Sequence, residues 1–197
     1  MTTKLDLHPP AREVTRLLGG ISDDRLDDPT PCKGTSVAAL LDHLMGLTVA
    51  FRDAATKSNG PDSGQASAVA EHLHPDWREL LPQRLDELAA SWDDPAAWEG
   101  ITWAGGVEMP AEVIASVAVD ELVLHGWDLA KGTGQSFNCD LASAEATFGF
   151  TSAMSEPGQE ASREGLFGPV VDVPVDAPLL DRALGFSGRD PGWSPPG

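Results

Sequence analysis

The sequence predicts an all-α fold, a four-helix bundle with short extra helices and an irregular C-terminal tail. Three observations predict it. Long stretches repeat apolar residues at the i, i+3, i+4, i+7 spacing of a helix face. Several of those stretches open on proline, serine or threonine and stop at glycine or in polar loops. Alternating apolar and polar residues, the mark of a half-buried strand, are scarce. The chain has 197 residues, enough for one well-buried core. A single domain over 1–197 is expected, with a bundle core at about 9–156 and the tail, 157–197, packed on it.

The first helix is expected over 9–18. Pro9 and Pro10 suit a first turn, Gly19 and Gly20 suit a stop, and Val14, Leu17, Leu18 and Ile21 share one face. The Asp- and Pro-rich segment SDDRLDDPTPCKG reads as a loop. A second helix starts at Thr35 or Ser36 and runs to about Thr56, with Val37, Leu40, Leu41, Leu44, Leu47 and Phe51 as its apolar stripe. His43 lies on the shoulder of that stripe. A third helix carries Trp77, Leu81, Leu85, Leu88 and Trp92, and Pro82 either kinks it or delays its start to near Leu81. ITW, within the irregular segment that follows, reads as a short extended piece. A fourth helix runs from Pro110 to near Lys131 with Gly132 closing it, and its apolar residues cover most of its circumference, as in a central helix. A fifth covers about 140–155, with Leu141, Ala144, Phe148 and Thr151 inward. LLDRALGF is a short helix in the tail, and Trp193 a packing anchor.

Composition excludes several functions. Lys and Arg total 13 against 31 Asp and Glu, a net charge of -18 that repels nucleic acid and anionic lipid. No apolar run is long enough to span a membrane. MTTKLDLHPP lacks the basic and apolar regions of a signal peptide, so a cytoplasmic location is expected. The partners expected are a small-molecule substrate and, at most, a second copy of the chain, as monomer or homodimer. Two cysteines, Cys32 and Cys139, form no CxxC pair and read as inert thiols.

The stretch DELVLHGWDLAKGTG, residues 120–134, breaks the apolar pattern of the fourth helix. Glu121 and His125 are four apart and Asp128 three further on, so all three fall on one face. Ionised groups are costly to bury unless paired or bound to a metal. Bundles build metal sites from inward side chains on facing helices. Among His8, His43, His72, His74 and His125, only His43 sits mid-helix beside an apolar stripe. His43, Glu121 and His125 would form a two-histidine, one-carboxylate set with a coordination position left over. Zinc accepts such a set, and nickel, iron and manganese fit it too. Asp128 would accept a hydrogen bond that fixes a ring tautomer. The plainer alternative is that Glu121 and His125 are a helix-surface pair, His43 an interface histidine and Asp128 a structural hydrogen-bond acceptor. Cys32, just before the second helix, is a rival nucleophile, though no histidine is placed near it by sequence.

VDELVLHGWDLAKGTGQ resembles the signature of the actinobacterial DinB-like metal-binding proteins related to mycothiol-dependent maleylpyruvate isomerase. TPCKGTSVAALLDHLMGL resembles that family's N-terminal motif, and GLFGPVVDVPVDAPLLDRALGFSGRDPGW resembles the C-terminus of a single-domain branch. The match is vaguest over 57–100. The resemblance implies a DinB/YfiT-like bundle in which His43, Glu121 and His125 bind a divalent metal, zinc foremost. It further implies a low-molecular thiol such as mycothiol as cosubstrate. KGTS follows the TPC where the family often has a tryptophan, so the pocket entrance is expected to differ. The isomerase itself carries a further C-terminal domain with a substrate-binding arginine, which this length is not expected to include, so the isomerase reaction does not transfer with the fold. The function expected is a metal-dependent thiol transferase or isomerase acting on a small electrophile. The alternatives are a hydrolase or lyase using metal-activated water, and a non-catalytic binder using the same pocket. No residue stands out by sequence as a separate general base.

Overall fold

Four helices close a ring around one leucine-rich core in the computed structural model, which describes residues 5–195. Residues 1–4 of the N-terminal segment and 196–197 of the tail lie outside the described residues. α1 (His8–Leu18) opens on a His-Pro-Pro turn, where prolines lose only N–H groups that the first turn leaves unbonded. α2 (Val37–Ala55) is capped by Ser36, whose Oγ accepts from the Ala39 N–H. α3 (Trp77–Ser91) runs unbroken through Pro82, so the later start near Leu81 is not adopted. An interior proline costs about 3 kcal/mol, whereas each fully buried leucine contributes roughly 1.5–3 kcal/mol. Leu81, Leu85 and Leu88 are all fully buried, and together they outweigh the lost bond.

The extended piece expected at ITW has a partner. β1 (Ile101–Ala104) pairs antiparallel with β2 (Val107–Pro110), Ala104 opposite Val107. Gly105 and Gly106 both take positive φ, as a two-residue hairpin turn whose twist matches the strands requires. α4 (Ala111–Thr133) follows directly and is 23 residues long. It ends at Gly134, in the left-handed conformation, and not at Gly132 as expected. Gly132 lies inside the helix, at a point where the loop backbone crosses it closely: a Cβ there would sit 3.1 Å from the Pro29 carbonyl oxygen.

Around the ring, α1 packs on α3 and α4, and α2 packs on α3 and α4. α5 (Leu141–Ala153) lies outside, against α4, and carries α7 (Leu179–Phe186); between them is the single turn α6 (Glu160–Arg163). On α5, Ala144 and Thr151 are buried as expected and Phe148 is half-buried, but Leu141 is 68% exposed. Ser143 and Thr147 are buried instead, because this face meets its neighbours through small side chains. The tail covers the back of α4 with a second apolar cluster, in which Leu124, Trp127 and Leu184 meet Phe137, Phe167 and the expected anchor Trp193. The all-α class expected from the sequence is the one found. Among the described residues no helix is long and apolar enough to cross a membrane.

Two outcomes follow. Pro82→Ala restores the N–H to Arg78 and should raise stability by about 1–2 kcal/mol in urea unfolding. Glu13 binds Arg16 and the Asn138 N–H, tying the α4–α5 connection to α1. Burial alone would raise its pKa, but Arg16 and Asn138 together hold it below the usual value. Its stabilisation is therefore present above the unfolded carboxylate pKa of about 4.3 and is lost as pH falls through the lower folded value. Glu13→Gln should lower the urea midpoint at neutral pH and make little difference near pH ~3.

Candidate metal centre

α2 and α4 face each other across the upper core, and their polar residues meet there. His125 Nε2 lies 3.0 Å from Glu121 Oε2, and His43 Nε2 lies 3.9 Å from the same oxygen. The two imidazoles stand perpendicular with centroids 5.1 Å apart. One donor atom from each of His43, Glu121 and His125 lies within 4.8 Å of the other two. The three open onto a cavity of about 390 Å³ walled by α2, α4, the hairpin turn and residues 65–68, with Leu166 of the tail at its edge.

Each ring is oriented from behind. His43 Nδ1 donates to the Ser67 carbonyl at 3.1 Å, so Nδ1 carries a hydrogen and the neutral ring presents the Nε2 lone pair toward Glu121. Burial, and then the nearby His125, push the His43 pKa down, which favours that neutral form. Ser67 is itself held: its hydroxyl donates to Asp42, which also accepts from the Val69 N–H. His125 Nδ1 lies 3.1 Å from Asp128 Oδ2. Asp128 is fully buried, and Arg189 grips it with two bonds, Nε to Oδ1 at 2.9 Å and Nη2 to Oδ2 at 2.7 Å.

The charges are tightly linked. Burial alone would raise the Asp128 pKa, but the Arg189 guanidinium and the His125 hydrogen bond override it and hold it below the usual range. Burial would likewise raise Glu121, and the two histidines pull it down. Burial opposes a charge on His125, yet Asp128 and Glu121 together push its pKa up to about 10. Beside them on α4, Asp120 is buried with its Oδ1 unpartnered among the described residues. Burial and the Glu121 charge raise the Asp120 pKa well above the usual value.

The structure thus brings together all four residues singled out by spacing. It corrects the isolation expected of Cys32. The loop before α2 folds back through a bridge between Pro29 and Ser36. Cys32 reaches the same cavity wall, with donor atoms of His125 and Asp128 within 4.8 Å of its sulfur. Cys139 lies elsewhere, its thiol pushed up to about 12 by burial and then by Asp140 and Glu13. His8 pairs with Asp93, and His72 and His74 line a separate groove beyond residues 63–67. Sequence reasoning missed Arg189. Its only signal was a lone arginine in the polar run SGRDPGW, with no periodicity to place it.

The family profile described as mycothiol maleylpyruvate isomerase N-terminal domain matches residues 7–130. The chain belongs to this family. That match runs from α1 through all but the last three residues of α4, and so covers all three candidate donors. Two curated relatives are uncharacterized proteins of Mycobacterium tuberculosis, from strains CDC 1551 / Oshkosh and ATCC 25618 / H37Rv. Each is 26% identical over 180 residues, covering 88% of this chain and 90% of the relative. Among solved structures, mycothiol-dependent maleylpyruvate isomerase aligns with a TM-score of 0.60 at 15% identity, over 87% of this chain and 75% of that one. A mutant of that isomerase aligns with a TM-score of 0.56 at 15% identity, over 74% of this chain and 66% of that one. At that identity the likeness concerns the mycothiol-dependent isomerase fold alone.

Removing Arg189 would leave Asp128 charged, buried and bonded only to His125. Arg189→Met should therefore cost about 3–5 kcal/mol. Adding Asp128→Asn to it should recover part of that loss. A double-mutant cycle by denaturant unfolding measures the coupling, and additive effects would show the pair to be independent.

Proposed function

We propose that this protein is a divalent-metal-dependent thiol transferase or isomerase, with His43, Glu121 and His125 holding the metal. The observation that supports it most is the convergence of three donors, from two helices, at the wall of one largely apolar cavity. The donor set fits a metal in a second respect. Both rings have Nδ1 bonded from behind, to Ser67 and to Asp128, which leaves Nε2 on the side of Glu121. Zinc suits two imidazoles and a carboxylate, with nickel, iron and manganese as chemically allowed substitutes.

When bound, such an ion stabilises a thiol as its thiolate near neutral pH. The thiol we propose is of the mycothiol type, the thiol on which the solved isomerase depends. The protein's own contribution is positional. His43 on α2 and Glu121 on α4 approach to 3.9 Å, so the two helices together would hold the ion at the cavity wall. Asp128 keeps the His125 Nδ1 proton in place, so that Nε2 would become the donor atom once an ion displaces the proton it shares with Glu121. Leu47, Phe51 and Ile114 line the cavity and exclude water from the acceptor.

The test begins with protein purified without a chelator or a metal-affinity tag. Elemental analysis should find about one divalent ion per chain in the wild type and none in His125→Ala. Asp128→Asn should weaken the ion by about 10–100-fold in chelator competition. Turnover of an electrophile should then require both the ion and mycothiol. Turnover without any thiol would replace this reading with a metal-activated water reaction. Ligand binding with no ion and no turnover would replace it with a binding protein.

A further inference from the structure

We infer that the electrophile taken by this cavity is a neutral, mainly apolar small molecule and not a dicarboxylate. The inference rests on the thiol-transfer reading and specifies its acceptor. Maleylpyruvate, named in the solved relatives, carries two carboxylates, so a protein that accepts it must supply cations. Among the described residues no lysine or arginine lines this cavity. Its walls are Leu47, Phe51, Met109, Ile114 and Val117, and the polar groups among them are the candidate donors and three uncharged side chains, Cys32, Thr35 and Gln65. Val107 and Leu166, which also line it, are 49% and 52% exposed, so apolar surface continues to the outside.

The charge balance points the same way. A divalent ion is cancelled by one carboxylate, Glu121, together with one thiolate. The Arg189 guanidinium behind His125 is already paired through two bonds with Asp128. A dianion entering this space would lose its hydration and find no counter-charge. The surrounding surface, at a net charge of -18, repels it before entry. A neutral acceptor meets neither barrier and gains from leaving water.

For a conjugated acceptor the step balances without any oxidant. The thiolate sulfur forms a C–S bond at the β-carbon, and the double-bond pair moves toward the carbonyl oxygen. The α-carbon then takes a proton from water, so the thiol adds across the double bond.

The experiment compares cyclohexenone with maleate, two conjugated acceptors of similar size and opposite charge character. Each is given to the zinc-loaded protein with mycothiol, and each rate is divided by the uncatalysed rate with the same thiol. Cyclohexenone should show an enhancement at least tenfold larger. An equal or larger enhancement for maleate overturns the inference. Met109→Arg, which puts a cation on the hairpin wall, should narrow the preference about tenfold, and an unchanged preference in the folded variant overturns it as well. If neither acceptor reacts, the thiol-transfer reading falls, and saturation-transfer NMR on the same complex decides the charge question. Signals from bound cyclohexenone and none from maleate uphold the inference; the reverse overturns it.

Discussion

The carboxylate of Asp128 is the constraint on which the rest of this structure depends. It sits in the C-terminal half of α4 with no exposure to solvent, where an unpaired charge would be untenable. Two partners make it tolerable, the His125 ring and the Arg189 guanidinium. Arg189 lies just beyond α7, so the C-terminal segment must come back across α4 to satisfy it. That return explains why α4 is buried nearly all round. One face meets the bundle core, and another is covered by α5, α7 and Trp193. A buried bidentate ion pair contributes little net energy compared with an apolar pair of the same shape, but breaking it is costly. Its effect here is to fix where the tail docks and how the His125 ring is turned.

From Asp128 a line of partners runs through the candidate centre. Arg189 holds Asp128, Asp128 holds His125, His125 meets Glu121, and Glu121 faces His43. The line ends where His43 donates to the Ser67 carbonyl, and the Ser67 hydroxyl donates in turn to Asp42. Both ends of the line are buried or hydrogen-bonded, and the middle borders the cavity. Preorganisation of this kind is what a metal or ligand site needs, because rings locked from behind lose little freedom when something binds in front.

Helical periodicity made the bundle legible in the sequence, since burying one face of each helix leaves a pattern every three to four residues. Within it, the i, i+4 pair Glu121 and His125 and the lone mid-helix His43 could be picked out, because polar residues on apolar faces are exceptions. Contacts made by irregular segments left no such mark. Arg189 and Cys32 reach α4 from loops whose path is set by tertiary packing, and nothing in their local spacing reports it. The Gly-Gly turn between β1 and β2 was a readable hairpin signal, but ITW and VEMP are too short to show alternation. The sequence puts the end of α4 at Gly132, and the structure puts it at Gly134. Only the crossing of the Pro29 backbone separates a glycine needed for close approach from one needed for the left-handed cap.

The division between helices and connections also bears on how one bundle can serve different acceptors. The three candidate donors stand on α2 and α4, the two longest helices among the described residues. Much of the remaining cavity wall comes from elsewhere: the loop before α2, residues 65–68, the hairpin turn and the tail at Leu166. Close helix packing restrains the donors, whereas loops accept substitution and insertion more readily. A change of acceptor therefore requires only new side chains on the connections, with the donor geometry untouched. Sequences that share this bundle at low identity can keep the same backbone while their cavities diverge completely. Among the described residues the connections that line the cavity contribute no lysine or arginine, and on the reading proposed above that local fact, more than the fold, sets the acceptor.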